Sequence, residues 1–148
     1  MSYVSSYYHC VFSTKHRQPQ IDPGLRQRLW PFLGGIARQH RIKPIAIGGI
    51  PDHVHLLLSL PSTLPIAEAM QLLKGGSSKW VHDTFPQRNL FGWQIKYGAF
   101  STSVSLLDNT IEYINTQEEH HRKMTFQEEF LALLKKHAIA YDPRYLWE

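Results

Sequence analysis

The chain has 148 residues, 43% hydrophobic and 19% charged, with a formal net charge of +4 and nine histidines. That length and balance fit one globular domain over residues 1–148 and exclude a disordered or low-complexity polymer. A single cysteine, Cys10, excludes an intrachain disulfide and a thiolate zinc cluster, and the apolar runs are far too short to span a membrane.

The opening MSYVSSYYHC lacks the basic-then-apolar order of a secretory leader, so a cytoplasmic protein is expected. Residues 5–13, SSYYHCVFS, are rich in aromatic and β-branched types and read as a first strand. A basic turn, TKHRQPQ, follows. Asp22 and Pro23 have the order of an N-cap and first helical residue. The helix they open carries Leu25, Leu29, Phe32, Leu33 and Ile36 on one side, and Pro31 with Gly34 and Gly35 is expected to kink or break it. KPIAIGGI (43–50) and HVHLLLSL (53–60) read as two strands of a hairpin around a short Pro-Asp turn. LPIAEAMQLLKGGSSKWVHDTF is helical by the spacing of Ile66, Met70, Leu72 and Leu73, with an interruption expected at Gly75 and Gly76. Residues 93–105 read as a fourth strand. DNTIEYINTQEEHH reads as one helix with Asp108 as its N-cap, and TFQEEFLALLKKH as another, with Thr125 and Glu128 in capping-box spacing. The aromatic tail AIAYDPRYLWE is expected to pack on the body or on a partner.

The order β-α-β-β-α-β followed by two helices predicts an α+β, ferredoxin-like (split βαβ) antiparallel sheet with C-terminal helices added. Helices are expected on one face of the sheet, leaving the other free for a ligand.

The chemistry is concentrated in PDHVHLLL. On a strand, residues i and i+2 share a face, so His53 and His55 point together while Val54, Leu56 and Leu58 point away. Neighbouring imidazoles can reach one metal ion, though such a pair is as readily structural. No acid follows before Glu68, which disfavours dioxygenase- and lactamase-type completions. Another completion lies in EYINTQ. Tyr113 and Gln117, four apart, share a helical face; an amide oxygen suits Mg²⁺ or Mn²⁺, and a tyrosine beside a metal-bound phosphate is a potential nucleophile. Taken alone, the same pair fits a boundary tyrosine and a solvent-facing glutamine.

Together, the His-hydrophobic-His strand and the Tyr-x-x-x-Gln helix resemble the HUH single-tyrosine transposases, the insertion-sequence-200-like enzymes. The resemblance runs from YYHCVFSTKHRQPQI through GIPDHVHLLLSLP and LKGGSSKW to YINTQEEHHRK, and EEHH with DPRYLWE is similar to the REP-associated branch. It implies a divalent metal held by His53, His55 and Gln117, and Tyr113 as the nucleophile that forms a 5′-phosphotyrosine. It also implies single-stranded or hairpin DNA as substrate and a homodimer, with Tyr113 acting in cis or in trans. Lys15, His16 and Arg17 after the first strand, Lys74 and Lys79 around GGSS, and His121 beyond Gln117 are candidate DNA contacts, each with a solvated surface as the plainer reading. Tyr7 and Tyr97 are rival tyrosines without a glutamine partner, and Asp52 reads as a turn residue. A non-catalytic nucleic-acid-binding module of the same fold is the alternative; it has no use for all four site residues together.

Overall fold

The computed structural model describes residues 2–147. Four strands form one antiparallel sheet: β1 (Tyr7–Ser13), β2 (Lys43–Ile50), β3 (His53–Ser59) and β4 (Gly98–Thr102), in the order β2-β3-β1-β4. This is the split βαβ order, with β1 and β3 central. Alternation divides the strands cleanly. Cys10 and Phe12 of β1 and Val54, Leu56 and Leu58 of β3 join a fully buried apolar cluster, completed by α1 (Pro23–Gln39) and α2 (Ile66–Thr84). His9, Val11, His53 and His55 belong to the opposite face.

That opposite face is covered, contrary to the expectation of a free ligand face. Helices α3 (Leu107–Asn115), α4 (Gln117–His120) and α5 (Phe126–Lys136) close over it, and His53 and His55 are 0% exposed. Two glycines set how closely they approach. A Cβ on Gly48 would lie 2.3 Å from the Ile114 carbonyl oxygen in α3, and one on Gly98 would lie 2.8 Å from the Phe130 ring in α5. The tail also packs here, with the Trp147 ring 6.0 Å from that of Phe130.

Neither long helix breaks where expected. Helix α1 runs through Pro31, Gly34 and Gly35, because Leu25, Leu29, Leu33 and Ile36 are all buried along one stripe. Burial of about 2 kcal/mol for each of these outweighs about 3 for the proline and about 1 for each glycine. Helix α2 continues through Gly75 and Gly76, since a Cβ on Gly76 would come within 3.0 Å of Ile36 Cδ1. Gly76 marks the close approach of α2 to α1, not an interruption.

The fourth strand is shorter than predicted. Residues 93–97 leave the ladder after one bridge between Thr14 and Trp93, and the Gln94 side chain accepts the Ser13 amide at 2.8 Å in place of a strand partner. The predicted helix over 108–121 is split at Thr116, whose ψ of 31° ends α3; Asp108 lies in the first turn of α3 and does not cap it. Asp22 accepts from the Leu25 amide, and the Thr125–Glu128 capping box forms, both as the sequence predicts. Among the described residues no helix is long and apolar enough to cross a membrane.

Candidate active site

The site is built outward from β3. His53 and His55 leave the same face, and each ring is held from behind. His53 Nδ1 is 2.7 Å from Asp52 Oδ1, and His55 Nδ1 is 2.7 Å from His9 Nε2. His9 is two residues before Val11, which pairs directly with His55, so β1 supplies this third imidazole by register alone. Both Nε2 atoms therefore point forward into the space under α3–α5.

Three groups from those helices meet them. Gln117, at the start of α4, places Oε1 3.1 Å from His53 Nε2, while its Nε2 donates to the Tyr113 carbonyl oxygen at 3.2 Å. That bond bridges the break at Thr116, so Tyr113 and Gln117 stay together although they lie on separate helical segments. Tyr113, on α3, donates its hydroxyl to Glu129 Oε2, and its ring centroid is 5.7 Å from that of His55. Glu129, on α5, puts Oε1 3.0 Å from His55 Nε2, 3.2 Å from His53 Nε2 and 3.0 Å from His121 Nε2. Its side chain is 1% exposed.

Burial and this one carboxylate organise the charges. Burial alone would lower the His53 pKa, but the hydrogen bonds and charges of Asp52 and Glu129 outweigh it and lift the value to about 9. His55 is lowered to about 4 by burial, which Glu129 only partly offsets, and His9 is lowered to about 3 by burial and by His55. Burial opposes ionisation of Glu129, yet the three imidazoles hold its carboxyl below the usual range. Burial and the Glu129 carboxylate push the Tyr113 phenol above its ordinary value.

These donors suit a divalent cation. Ligand atoms about 2.1 Å from one ion and at right angles to each other lie about 3.0 Å apart, and the His53, His55, Gln117 and Glu129 contacts span 3.0–3.2 Å. A partner on each Nδ1 is also the arrangement that fixes the tautomer of a metal-ligating histidine.

The candidate DNA contacts are dispersed. Among the described residues, His121 is the one bonded into the cluster, through Glu129. Lys15, His16 and Arg17 form a short helical turn after β1, where Arg17 sits 5.5 Å over the Trp147 ring. Lys74 is half-buried, donates to the Ile95 and Lys96 carbonyls at 2.8 and 3.3 Å, and has its pKa lowered to about 8 by burial. Lys79 pairs with Asp83 at 2.7 Å. A cavity of about 990 Å³ opens instead beside Tyr113, lined by Asn109, His120, Arg122, Lys123 and Lys136.

Sequence reasoning missed Glu129 and His9; Asp52 is the turn residue that the sequence predicts, and its bond to His53 is the part that was not foreseen. The signal for Glu129 was a carboxylate inside the apolar stripe of α5, three residues after Phe126 and four before Leu133.

A family described as "Transposase IS200 like" matches residues 2–117, a span that includes His53, His55, Tyr113 and Gln117 and ends before His121 and Glu129. The ISDra2 transposase TnpA of Deinococcus radiodurans is 29% identical over 117 residues, covering 76% of this chain and 84% of the relative. The transposase for insertion sequence element IS200 of Salmonella typhimurium is 27% identical over 78 residues, covering 53% of this chain and 51% of the relative. Among solved structures, a Deinococcus radiodurans R1 protein assigned as a transposase superposes with a TM-score of 0.65 at 27% identity, covering 79% of this chain and 95% of its own. A REP-associated tyrosine transposase bound to a REP hairpin shares the fold with a TM-score of 0.56 at 15% identity, over 77% of this chain and 67% of its own.

Proposed function

The chain belongs to the IS200-like transposase family, and from that premise we propose that it nicks and rejoins single-stranded or hairpin DNA through Tyr113. In this reading His53, His55 and Gln117 hold a divalent ion, Mg²⁺ or Mn²⁺. The observation that carries it is the meeting of the Tyr113 hydroxyl and two imidazoles of β3 on one buried carboxylate, with the Gln117 amide oxygen 3.1 Å from His53 Nε2. The REP hairpin held by a protein of the same fold supports the choice of substrate.

Tyr113 Oη attacks the scissile phosphorus in line. The Oη–P bond forms as the P–O3′ bond breaks, leaving a 5′-phosphotyrosine and a 3′-oxygen that takes up a proton. Its phenol proton is directed at Glu129 Oε2 before the attack. A bound divalent ion supplies charge neutralisation on the phosphate oxygens. Because the phosphodiester energy stays in the tyrosyl ester, a 3′-hydroxyl from another strand can reverse the step without ATP. Basic groups at the mouth of the cavity, Arg122, Lys123 and Lys136, are placed to take the flanking phosphates. Two ends have to be cut and each chain carries one Tyr113, so the reading includes a homodimer that brings two copies of the site together.

The test is a labelled single-stranded hairpin incubated with the protein and Mn²⁺ or Mg²⁺ and run on a denaturing gel. A covalent protein–DNA band is expected for the natural chain, and Tyr113→Phe should lose the band and cleavage together while still binding metal. Adduct formation by the phenylalanine variant moves the nucleophile elsewhere. Cleavage without any adduct makes the enzyme a hydrolase and defeats the reading.

A further inference from the structure

The family match ends at Gln117, yet the groups closest to the two histidines include one from beyond it. We propose that Glu129 of α5 is itself a ligand of the divalent ion, so that the site is His53–His55–Gln117–Glu129 and favours Mn²⁺ over Mg²⁺. The inference rests on the metal-dependent reading above and extends it to a residue outside the matched span.

Three observations support it. First, His53, His55 and Glu129 each offer a ligand atom within 4.8 Å of the other two, and all three residues are buried. Second, Glu129 Oε1 has three imidazole nitrogens at 3.0–3.2 Å. His55 and His121 take the two lone-pair directions of that oxygen, and His53 Nε2 is hydrogen-bonded to the Gln117 amide oxygen at 3.1 Å, so the third imidazole is held against the carboxylate without bonding to it. A cation shared by His53, His55 and Glu129, with His121 bonded to the carboxylate from outside, uses every one of those atoms. Third, the carboxylate is already oriented as a ligating carboxylate would be: His121 lies against Oε1 and Tyr113 donates to Oε2. Glu129 would thereby connect the metal directly to the attacking hydroxyl.

The choice of ion follows from the donor set. Two imidazoles leave only the amide and carboxylate as oxygen ligands from the protein. Imidazole is a favoured ligand of later first-row ions, whereas Mg²⁺ favours oxygen and gives up its waters reluctantly. Mn²⁺ accepts both types and stands lowest of the first-row series for such sites, so Co²⁺ should bind more tightly still.

Metal binding without DNA tests the proposal separately from activity. Mn²⁺ affinity is read by electron paramagnetic resonance, and coordination by the visible spectrum of the Co²⁺ protein, for the natural chain and for Glu129→Gln, His53→Ala and His55→Ala. Glu129→Gln should weaken Mn²⁺ binding at least tenfold, alter the Co²⁺ bands and narrow the preference over Mg²⁺. Unchanged affinity and spectrum overturn the proposal; tighter binding overturns it too, by making Glu129 a plug that competes with the ion. If His53→Ala and His55→Ala also bind normally, the metal reading of the site fails as well, a distinguishable result. Should Glu129→Gln not melt cooperatively in chelator, a Mn²⁺ crystal of the natural chain decides. An ion within about 2.3 Å of Glu129 Oε1 supports the ligand, and one at any longer, non-coordinating distance overturns it.

Discussion

Adding one methyl group at Gly48 should disable the site without touching any functional side chain. Gly48 pairs with His55 across β2 and β3, and its φ is not positive, so alanine fits the backbone. The obstacle is α3. The new Cβ would lie 2.3 Å from the Ile114 carbonyl oxygen, 3.0 Å from Ile114 Cγ2 and 3.1 Å from the carbonyl carbon. Restoring ordinary contact distances near 3.4 Å requires α3 to rise by about 1 Å, because the clash is with backbone and no rotamer relieves it. Tyr113 is the neighbour of Ile114 and would rise with it, drawing Gln117 through their hydrogen bond. A misplacement of about 1 Å costs on the order of 100-fold in rate, and overpacking of this kind costs about 1–3 kcal/mol in stability. Single-turnover cleavage of a hairpin that the natural protein cuts, together with urea unfolding, measures both. Gly75→Ala is the control: a Cβ there meets nothing within 4 Å, and an alanine in a helix interior should stabilise by up to about 1 kcal/mol. If Gly48→Ala cleaves within threefold of the natural chain, α3 does not seat the tyrosine as argued.

Further outcomes follow from the same contacts. In chelator, acid should destabilise the protein from about pH 6.5 downward. The unfolded chain takes up protons near 6.5, whereas folded His9 and His55 resist until about 3 and 4, so stability falls with pH across that window; a melting temperature flat from pH 7 to 5 contradicts this. His53 acts in the opposite direction: raised to about 9, it adds stability below about 6.5 that is lost as pH climbs through 9. Saturating Mn²⁺ should abolish that alkaline loss, which thermal melts at pH 7 and 9 with and without the ion would reveal. Thr125→Ala removes the α5 capping box and should cost about 1 kcal/mol. For a chain of this size that lowers the melting temperature by roughly 2–4 °C, and an unchanged melt would show that α5 is held by packing alone.

The sheet was readable because its period is simple. A strand with His53 and His55 on one side and Val54, Leu56 and Leu58 on the other admits only one assignment of faces, and the turns between strands carry Pro, Asp or Gly. What misled was glycine within helices. Local propensity treats Gly34-Gly35 and Gly75-Gly76 as weak points, but close packing of α1 on α2 needs a residue without a side chain at Gly76, and burial along the apolar stripes exceeds the local cost. The fourth strand failed for a related reason. Its aromatic composition continues to Trp93, yet that ring belongs to the core beside Phe12 at 4.8 Å, and its Nε1 donates to Ser77 at 2.9 Å. Aromatic content reports burial as readily as it reports a ladder.

Glu129 was harder to see because every local rule explains it away. Near the start of a helix an acidic residue favours the dipole, and Glu128 beside it does serve the cap. Only the helical phase separates the two: Glu128 falls on the exposed side, whereas Glu129 falls between Phe126 and Phe130 and is 1% exposed. An ionised carboxylate in that position needs compensating partners, since burying it alone costs several kcal/mol. In a chain whose opposite sheet face carries His9, His53 and His55, the partners were already specified by β1 and β3. The rule that would have found the residue is therefore tertiary. A charge in the apolar phase of one element calls for its complement in the polar phase of another, and here that complement is the strand face carrying the imidazoles.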